Sequence, residues 1–186
     1  MTDSQFPRLV SLACHDLRTP LATVYGFART LTNGGELDDR SARFVAMIEE
    51  ASGQMTELLD DVGVAARIAS GRWEPVLREA DTLELARPAD ARVAAEGRGA
   101  SIETEVDAVG RALAALALAA VRHGPAERVA WQVDGRALTL SPVTEAAAPV
   151  VTGAELKDLG SVVARLVVEE LGGSLELAGD QLRVRL

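Results

Sequence analysis

The sequence predicts an α+β protein in two parts, a helical hairpin over residues 1–72 and a small α/β sandwich over residues 73–186. Three observations support this prediction. Apolar residues up to about residue 70 recur at steps of four and three, the period of packed helices. After Trp73 the pattern changes to short runs separated by Gly and Pro turns. The composition, 48% hydrophobic and 25% charged, is typical of a folded globular chain.

The first helix is predicted from an apolar seam, which consists of Phe6, Val10, Ala13, Leu17, Pro20, Val24, Phe27 and Leu31. Leu9, Leu12 and Leu21 widen this apolar face beyond a simple two-stranded seam. The run Thr32-Asn33-Gly34-Gly35 ends the helix, because glycine is a frequent helix stop. We expect the helix to begin near Ser4, which can cap it.

The second helix is predicted from the same spacing, in Phe44, Ile48, Ala51, Met55, Leu58, Val62, Ala65 and Ala69. Asp38 or Asp39 can cap its start, and Ser70-Gly71 ends it. Two helices joined by a short Gly turn form an antiparallel hairpin. One hairpin cannot bury two faces this wide, so we expect a homodimer that forms a four-helix bundle.

The second part is predicted to place helices on one face of a mixed sheet. The predicted strands cover residues 74–78, 100–105, 128–133, 137–140, 174–177 and 181–186. The predicted helices cover residues 82–96, interrupted near Pro88, then 107–122 and 156–171. Two of the turns, Asp134-Gly135 and Gly179-Asp180, are typical of hairpins, and residues 141–154 are expected to be a loop.

Composition also excludes several classes of function. The net charge of −9 and the 3% aromatic content argue against nucleic-acid binding, which needs a basic surface or stacking platforms. One cysteine and two histidines exclude an internal disulfide and leave little for a metal site, so we expect none. Neither a secretory signal nor a membrane-spanning run is apparent, and we expect a cytoplasmic protein without a membrane partner.

The most informative stretch is Ser-Leu-Ala-Cys-His-Asp-Leu-Arg-Thr-Pro-Leu, residues 11–21. His15 falls opposite the apolar seam, where a neutral imidazole nitrogen can accept a phosphoryl group. Asp16 can orient the ring or take its proton. Thr19 lies one turn further on the same face and can hold a water molecule. Pro20 removes one helical hydrogen bond just past the site.

This string resembles the phosphoacceptor box of sensor histidine kinases, whose core reads His-Asp/Glu-x-x-Thr/Asn-Pro, and every position matches. The resemblance extends over the whole hairpin and implies that His15 is the phosphoacceptor and that the partners are response-regulator receiver domains. Docking of a receiver is then expected on the start of the second helix and on the exposed first helix around Arg18, Ala22, Tyr25 and Arg29.

The order of elements after Trp73 is similar to the ATP-binding domain of the same kinases, but the nucleotide residues are changed. Ala115 and Ala119 stand where the family has asparagines, the second of which binds Mg²⁺. Residues 140–149 lack the family's aspartate and glycines, and Asp158 replaces a glycine of the last glycine box. A methyl group cannot ligate a hard cation, and a carboxylate repels a triphosphate. We therefore expect a degenerate domain with no cofactor of its own, Mg²⁺ being supplied by the receiver.

The function favoured by these features is histidine phosphotransfer in a two-component phosphorelay, between His15 and receiver aspartates and without ATP. Three alternatives stay open: a phosphatase or sequestering partner that acts through Thr19, a divergent histidine kinase, and a non-enzymatic dimeric scaffold. Two further residues have structural interpretations. His123 favours the end of a helix, where it can bond the last carbonyls, and Cys14 is expected to be half-buried packing beside His15.

Overall fold

The computed structural model describes residues 5–34, 37–87 and 90–186 and divides the chain into two compact units, Met1–Arg72 and Trp73–Leu186. Unit 1 contains two helices, α1 (Gln5–Gly34) and α2 (Asp39–Ala69). Unit 2 contains the β-strands and four further helices. The predicted α+β class, a helical hairpin followed by a sheet region, is confirmed. The predicted cap Ser4, the turn residue Gly35 and the break at Pro88 lie outside the described residues.

The two helices of unit 1 run antiparallel. Arg18 near the middle of α1 contacts Asp60 late in α2, and Thr32 at the end of α1 contacts Glu49 early in α2. Asp38 is the N-cap of α2, and its carboxylate accepts hydrogen bonds from the backbone N–H groups of Ser41 and Arg40. These bonds, that of Ser41 first, lower the pKa of the Asp38 carboxyl.

The faces that α1 and α2 pack against each other are distinct from the apolar seams predicted from the sequence. On α1 the packed positions are Cys14, Leu21 and Ala28, and on α2 they include Val45 and Ser52. The large seam residues Phe6, Leu17, Val24, Phe27, Leu31, Phe44, Ile48, Met55 and Leu58 are exposed in the single chain. On each helix, the seam is rotated about the helix axis by about a quarter turn from the packed face, in the same sense when viewed from the N-terminus. Because the two helices are antiparallel, both seams lie on one side of the hairpin.

Unit 2 contains a mixed five-stranded sheet of order β2-β4-β5-β7-β6, with only β2 and β4 parallel. A separate antiparallel pair joins β1 to β3. The strands are β1 (Arg78–Asp81), β2 (Val93–Gly99), β3 (Ser101–Thr104), β4 (Val129–Gly135), β5 (Ala137–Ser141), β6 (Ser174–Ala178) and β7 (Gln181–Arg185). The helices are α3 (Thr82–Ala86), α4 (Val106–Arg122), α5 (Ala148–Val151) and α6 (Leu159–Glu170).

The core of unit 2 lies on one face of the sheet. Trp131, Leu138, Leu140 and Leu182 alternate with half-buried or exposed positions along β4, β5 and β7 and are fully buried. The apolar sides of α4 and α6 pack in the same core, and Val109, Leu113 and Leu116 of α4 have no exposed surface. The prediction of helices on one face of a mixed sheet therefore agrees with the structure.

Several predicted boundaries in unit 2 are wrong. Residues 74–77 are not a strand, and β1 starts at Arg78 instead. The predicted helix over residues 82–96 is the short α3 followed by strand β2, because the chain turns before Val93 and pairs with β4. Residues 141–154 contain α5, and the last helix begins at Leu159 rather than at residue 156, because Asp158 caps it.

Among the helices of the described residues, none is long and apolar enough to cross a membrane.

Candidate functional site

His15 lies in the middle of α1 with its side chain exposed to solvent. Its neighbour Cys14 is packed against α2. His15 is rotated from this packed face in one direction around the helix and the exposed apolar seam in the other, so His15 and the seam lie on opposite sides of the hairpin. Within the described ranges, no hydrogen bond or ion pair engages its imidazole. Both ring nitrogens therefore stay open to a reagent that approaches from solvent.

Asp16 is also exposed, but consecutive residues of a helix point in different directions, and its carboxylate makes no hydrogen bond to His15. An orienting role for Asp16 therefore requires a different rotamer or a bridging water. Pro20 lies inside α1, which continues through it. Because proline has no N–H group, the Asp16 carbonyl lacks its helical donor and is left as a free acceptor next to the site.

The water-positioning candidate Thr19 and the residues predicted for a receiver contact fall into two groups. Thr19, Ala22 and Arg29 are exposed on the same side of α1 as His15. Thr19 lies one turn beyond His15, with its hydroxyl free to hold water while its carbonyl accepts a bond from the Thr23 hydroxyl at 3.1 Å. Tyr25 is half-buried because it lies on the packed face, one turn after Leu21.

Arg18 is the member of the predicted set with a partner inside the hairpin. Its Nη2 donates to Asp60 Oδ1 at 2.5 Å, and both side chains remain about two-fifths exposed. The sequence places Asp60 in a row of acidic residues on α2 that is typical of a solvated face. The contact follows from the register of the antiparallel helices, which places Arg18 beside Asp60. The sequence alone does not fix this register, because it depends on the length of the turn between the helices.

The positions that the family resemblance assigns to the nucleotide lie within the packing of unit 2. Ala119 is fully buried in α4, and its carbonyl accepts the His123 N–H at 3.0 Å. Ala115 faces Gly160 so closely that a Cβ added at Gly160 would lie 3.0 Å from the Ala115 methyl group. Asp158 is buried as the N-cap of α6. Methyl groups offer no oxygen to Mg²⁺, and the one carboxylate is engaged within the chain, so these residues do not fit a Mg²⁺-nucleotide.

Two other features of the described residues bear on ligands. A cavity of about 160 Å³ in unit 2 is lined by Leu77, Ile102, Glu103, Thr104, Arg136, Val168, Leu171, Gly173 and Leu186. It includes none of the three nucleotide positions. No group of three or more His, Cys, Asp or Glu side chains suited to a metal ion occurs in the part of the chain that the structure describes.

The remaining histidine and the cysteine have structural surroundings. His123 is the C-cap residue of α4, as its position before Gly124 predicts, and its Nε2 lies 3.2 Å from Asp158 Oδ2. The contact with Asp158 was not predicted, because the two residues are far apart in sequence. Cys14 is buried at 5% exposure, deeper than the expected half-buried position, and is a free thiol in the α1–α2 contact.

Comparison with known proteins identifies the hairpin. Residues 8–71 match the His Kinase A (phospho-acceptor) domain. The chain is 31% identical over 122 residues to the histidine protein kinase DivJ of Caulobacter vibrioides, an alignment that covers 60% of this chain and 20% of DivJ. The chain therefore spans about a fifth of that relative, and its hairpin is similar to the phospho-acceptor domain of histidine kinases.

Solved structures extend the likeness of fold to nearly the whole chain. Full-length ShkA, solved in complex with AMPPNP, aligns over 96% of this chain and 44% of its own with a TM-score of 0.65 and 21% identity. The Acinetobacter baumannii histidine kinase AdeS aligns over 92% of this chain and 96% of its own with a TM-score of 0.54 and 15% identity. At these identities the likeness establishes the fold alone.

Proposed function

Because residues 8–71 match a His Kinase A phospho-acceptor domain, we propose that this chain is a homodimeric histidine phosphotransferase of a two-component relay. It moves a phosphoryl group between His15 and the aspartates of response-regulator receivers, and it uses no ATP. The observation that carries the proposal is the exposed His15 imidazole, which has no partner among the described residues and lies inside a matching box on a long, packed helix.

The main role of the hairpin in this reaction is to position the His15 imidazole. A nitrogen of the neutral imidazole attacks the phosphorus of a receiver phosphoaspartate, the N–P bond forms as the P–O bond breaks, and the aspartate carboxylate remains on the receiver. The proton on the other ring nitrogen passes to water. The transfer to a second receiver reverses these steps. The receiver supplies the Mg²⁺ that stabilises the charge on the phosphoryl oxygens.

The surface around His15 suits a receiver. Ala22 on the exposed side is small, so a partner can approach the helix backbone closely, and Arg29 places a cation two turns beyond Ala22. The opposite side of the hairpin carries the exposed seam, of which Phe27 is 68% exposed. A second copy that covers this seam forms a four-helix bundle and leaves both His15 faces open to receivers.

Two alternatives each have a specific observation in their favour. Thr19 is exposed one turn from His15, which suits a phosphatase that positions water at the receiver phosphoaspartate. The structure of ShkA holds AMPPNP, so this fold can take a nucleotide analogue, which favours a divergent kinase. Ala115, Ala119 and Asp158 weigh against the kinase, because together they remove metal and phosphate contacts.

The test is a phosphotransfer assay with the purified full chain. A radiolabelled phospho-receiver from the same cell is mixed with the wild type, with His15→Gln and with the control His123→Gln. We expect label on the wild type and on His123→Gln, none on His15→Gln, and none from labelled Mg·ATP alone. Label from Mg·ATP would support the kinase instead, and loss of receiver phosphate without labelled protein would support the phosphatase.

A further inference from the structure

Asp158 is a buried carboxylate at the junction between the end of α4 and the start of α6, with its side chain only 4% exposed. Its Oδ1 accepts hydrogen bonds from the backbone N–H of Ser161 at 3.0 Å and from the Ser161 hydroxyl at 3.3 Å. Its Oδ2 lies 3.2 Å from His123 Nε2 and 3.3 Å from Arg122 Nη1. Each carboxylate oxygen therefore has two partners, one pair from each helix.

Each charge of this junction lies at the helix end where the helix dipole favours its sign. Asp158 places a negative charge at the N-terminus of α6, where unpaired N–H groups point, while Arg122 and His123 lie at the C-terminus of α4, where unpaired carbonyls point. A buried carboxylate is costly unless it is paired and hydrogen-bonded. Here both conditions are met by side chains and a backbone group of the chain itself.

The backbones of the two helices also approach closely beside this carboxylate. A Cβ at Gly160 would lie 3.0 Å from the Ala115 methyl group and 3.3 Å from Asp158 Oδ1. Small residues on both helices thus allow α6 to start directly against α4. The space at the N-terminus of α6 is taken by the Asp158 side chain and its partners.

We propose that Asp158 is the built-in anion of the α4–α6 junction. The family resemblance assigns this position to a glycine of the last glycine box, beside the nucleotide phosphates. Here the Asp158 carboxylate supplies the negative charge instead, so unit 2 folds around an anion of its own and gains no stability from a nucleotide. This role goes beyond phosphotransfer at His15 and does not depend on it. A failure of either proposal is separately visible, because the stability of the Asp158 variants is measured without a receiver and does not involve His15.

The test compares thermal unfolding of the full chain in four forms: the wild type, Asp158→Ala, Asp158→Asn and the exposed control Asp180→Asn. We expect Asp158→Ala to lower the unfolding midpoint by roughly 5 °C or more, and Asp158→Asn to lower it by less, because the amide oxygen still caps α6. The control should stay within about 1 °C of the wild type. Hydrogen exchange of residues 159–163 should accelerate in Asp158→Ala. An unchanged midpoint and unchanged exchange in that variant would overturn the proposal.

Two further arms keep the test decisive where Asp158→Ala does not fold. In a double-mutant cycle, His123→Ala and Asp158→Asn together should lower the midpoint by less than the sum of the two single losses, because they remove the same contact. Additive losses would contradict it. Mg·ATP at millimolar concentration should leave the wild-type midpoint unchanged, since only a ligand that binds the folded state raises it. A clear rise with Mg·ATP would mean that the site still takes a nucleotide and would refute the proposal.

Discussion

Arg18 Nη2 lies 2.5 Å from Asp60 Oδ1, so an ion pair joins α1 to α2 one turn after His15. The sequence alone predicts Arg18 as a contact for the receiver, since it follows His15 in the phosphoacceptor box. In the hairpin its charge is directed to α2, which suggests that it holds the helices in register at the level of His15.

Exchange of the Arg18 and Asp60 charges distinguishes a receiver contact of Arg18 from a role in holding the two helices in register. Arg18→Glu should lower the free energy of unfolding by about 1 kcal/mol or less, because the pair is half-exposed and solvent screens it. It should also slow phosphotransfer to His15. Adding Asp60→Arg should restore both the unfolding midpoint and the transfer rate. A double variant that is as stable as the wild type but still slow in transfer would make Arg18 a direct receiver contact instead.

The exposed seam on the side of the hairpin opposite His15 predicts a dimer. One substitution in this seam should weaken it. Phe27→Glu places a charge on the face that a second copy would cover, and burial of a phenylalanine side chain contributes about 1.5–3 kcal/mol. We expect at least a tenfold rise in the dimer dissociation constant, measured by analytical ultracentrifugation.

Ala22→Glu is the matched control for that substitution, because it adds the same charge on the same helix but on the His15 side. It should remain dimeric while blocking transfer from the receiver. A monomeric Ala22→Glu together with a dimeric Phe27→Glu would contradict the prediction, because the dimer contact would then lie on the His15 side of the hairpin.

Much of unit 1 could be predicted because its signals are local. The steps of four and three predict both helices and the exposure of His15 without knowledge of any distant contact, and the residue types predict a cap at Asp38 or Asp39, which Asp38 forms. The sequence does not reveal which apolar positions pack within the hairpin. Cys14 and Ala28 are less apolar than Phe6 or Phe27, yet they are buried together with Leu21, because small side chains let the two helices approach each other.

Unit 2 shows where such local signals fail. Strand β2, Val-Ala-Ala-Glu-Gly-Arg-Gly, has little β-propensity and no clean alternation, so the sequence favours a helix there. Its hydrogen bonds to β4 decide the conformation, and that partner lies more than thirty residues away. The Asp158–His123 contact is missed for the same reason: the sequence predicts a repelling carboxylate but not the cation that pairs with it.

The balance between transfer and dephosphorylation should depend on Thr19. Its hydroxyl is exposed one turn beyond His15 and can position a water molecule without touching the imidazole. Thr19→Ala should therefore reduce any loss of receiver phosphate to water by tenfold or more, within the range of general acid–base contributions, while leaving formation of phosphohistidine within about twofold. The measurement follows receiver phosphate, protein phosphate and free phosphate in one time course. Thr23→Ala, one turn further, is the control, and equal effects of both variants would argue against a water-positioning role for Thr19.

Strand β2, which the sequence misses, contains Gly97, and this glycine gives a test of the sheet itself. Gly97 in β2 has a φ of 118°, and a Cβ there would run into the Val133 carbonyl of β4. Gly97→Ala should therefore lower the free energy of unfolding by about 1–3 kcal/mol, because alanine is strained in this region and the strands must separate. Gly26→Ala is the control, since a Cβ at that helical position meets nothing within 4 Å and alanine should stabilise α1 by about 0.5–1 kcal/mol. Chemical denaturation of the full chain measures both changes. A Gly97→Ala variant as stable as the wild type would mean that β2 does not pair with β4 in this register, whereas a clear loss of stability at Gly97 alone is what the parallel pairing predicts.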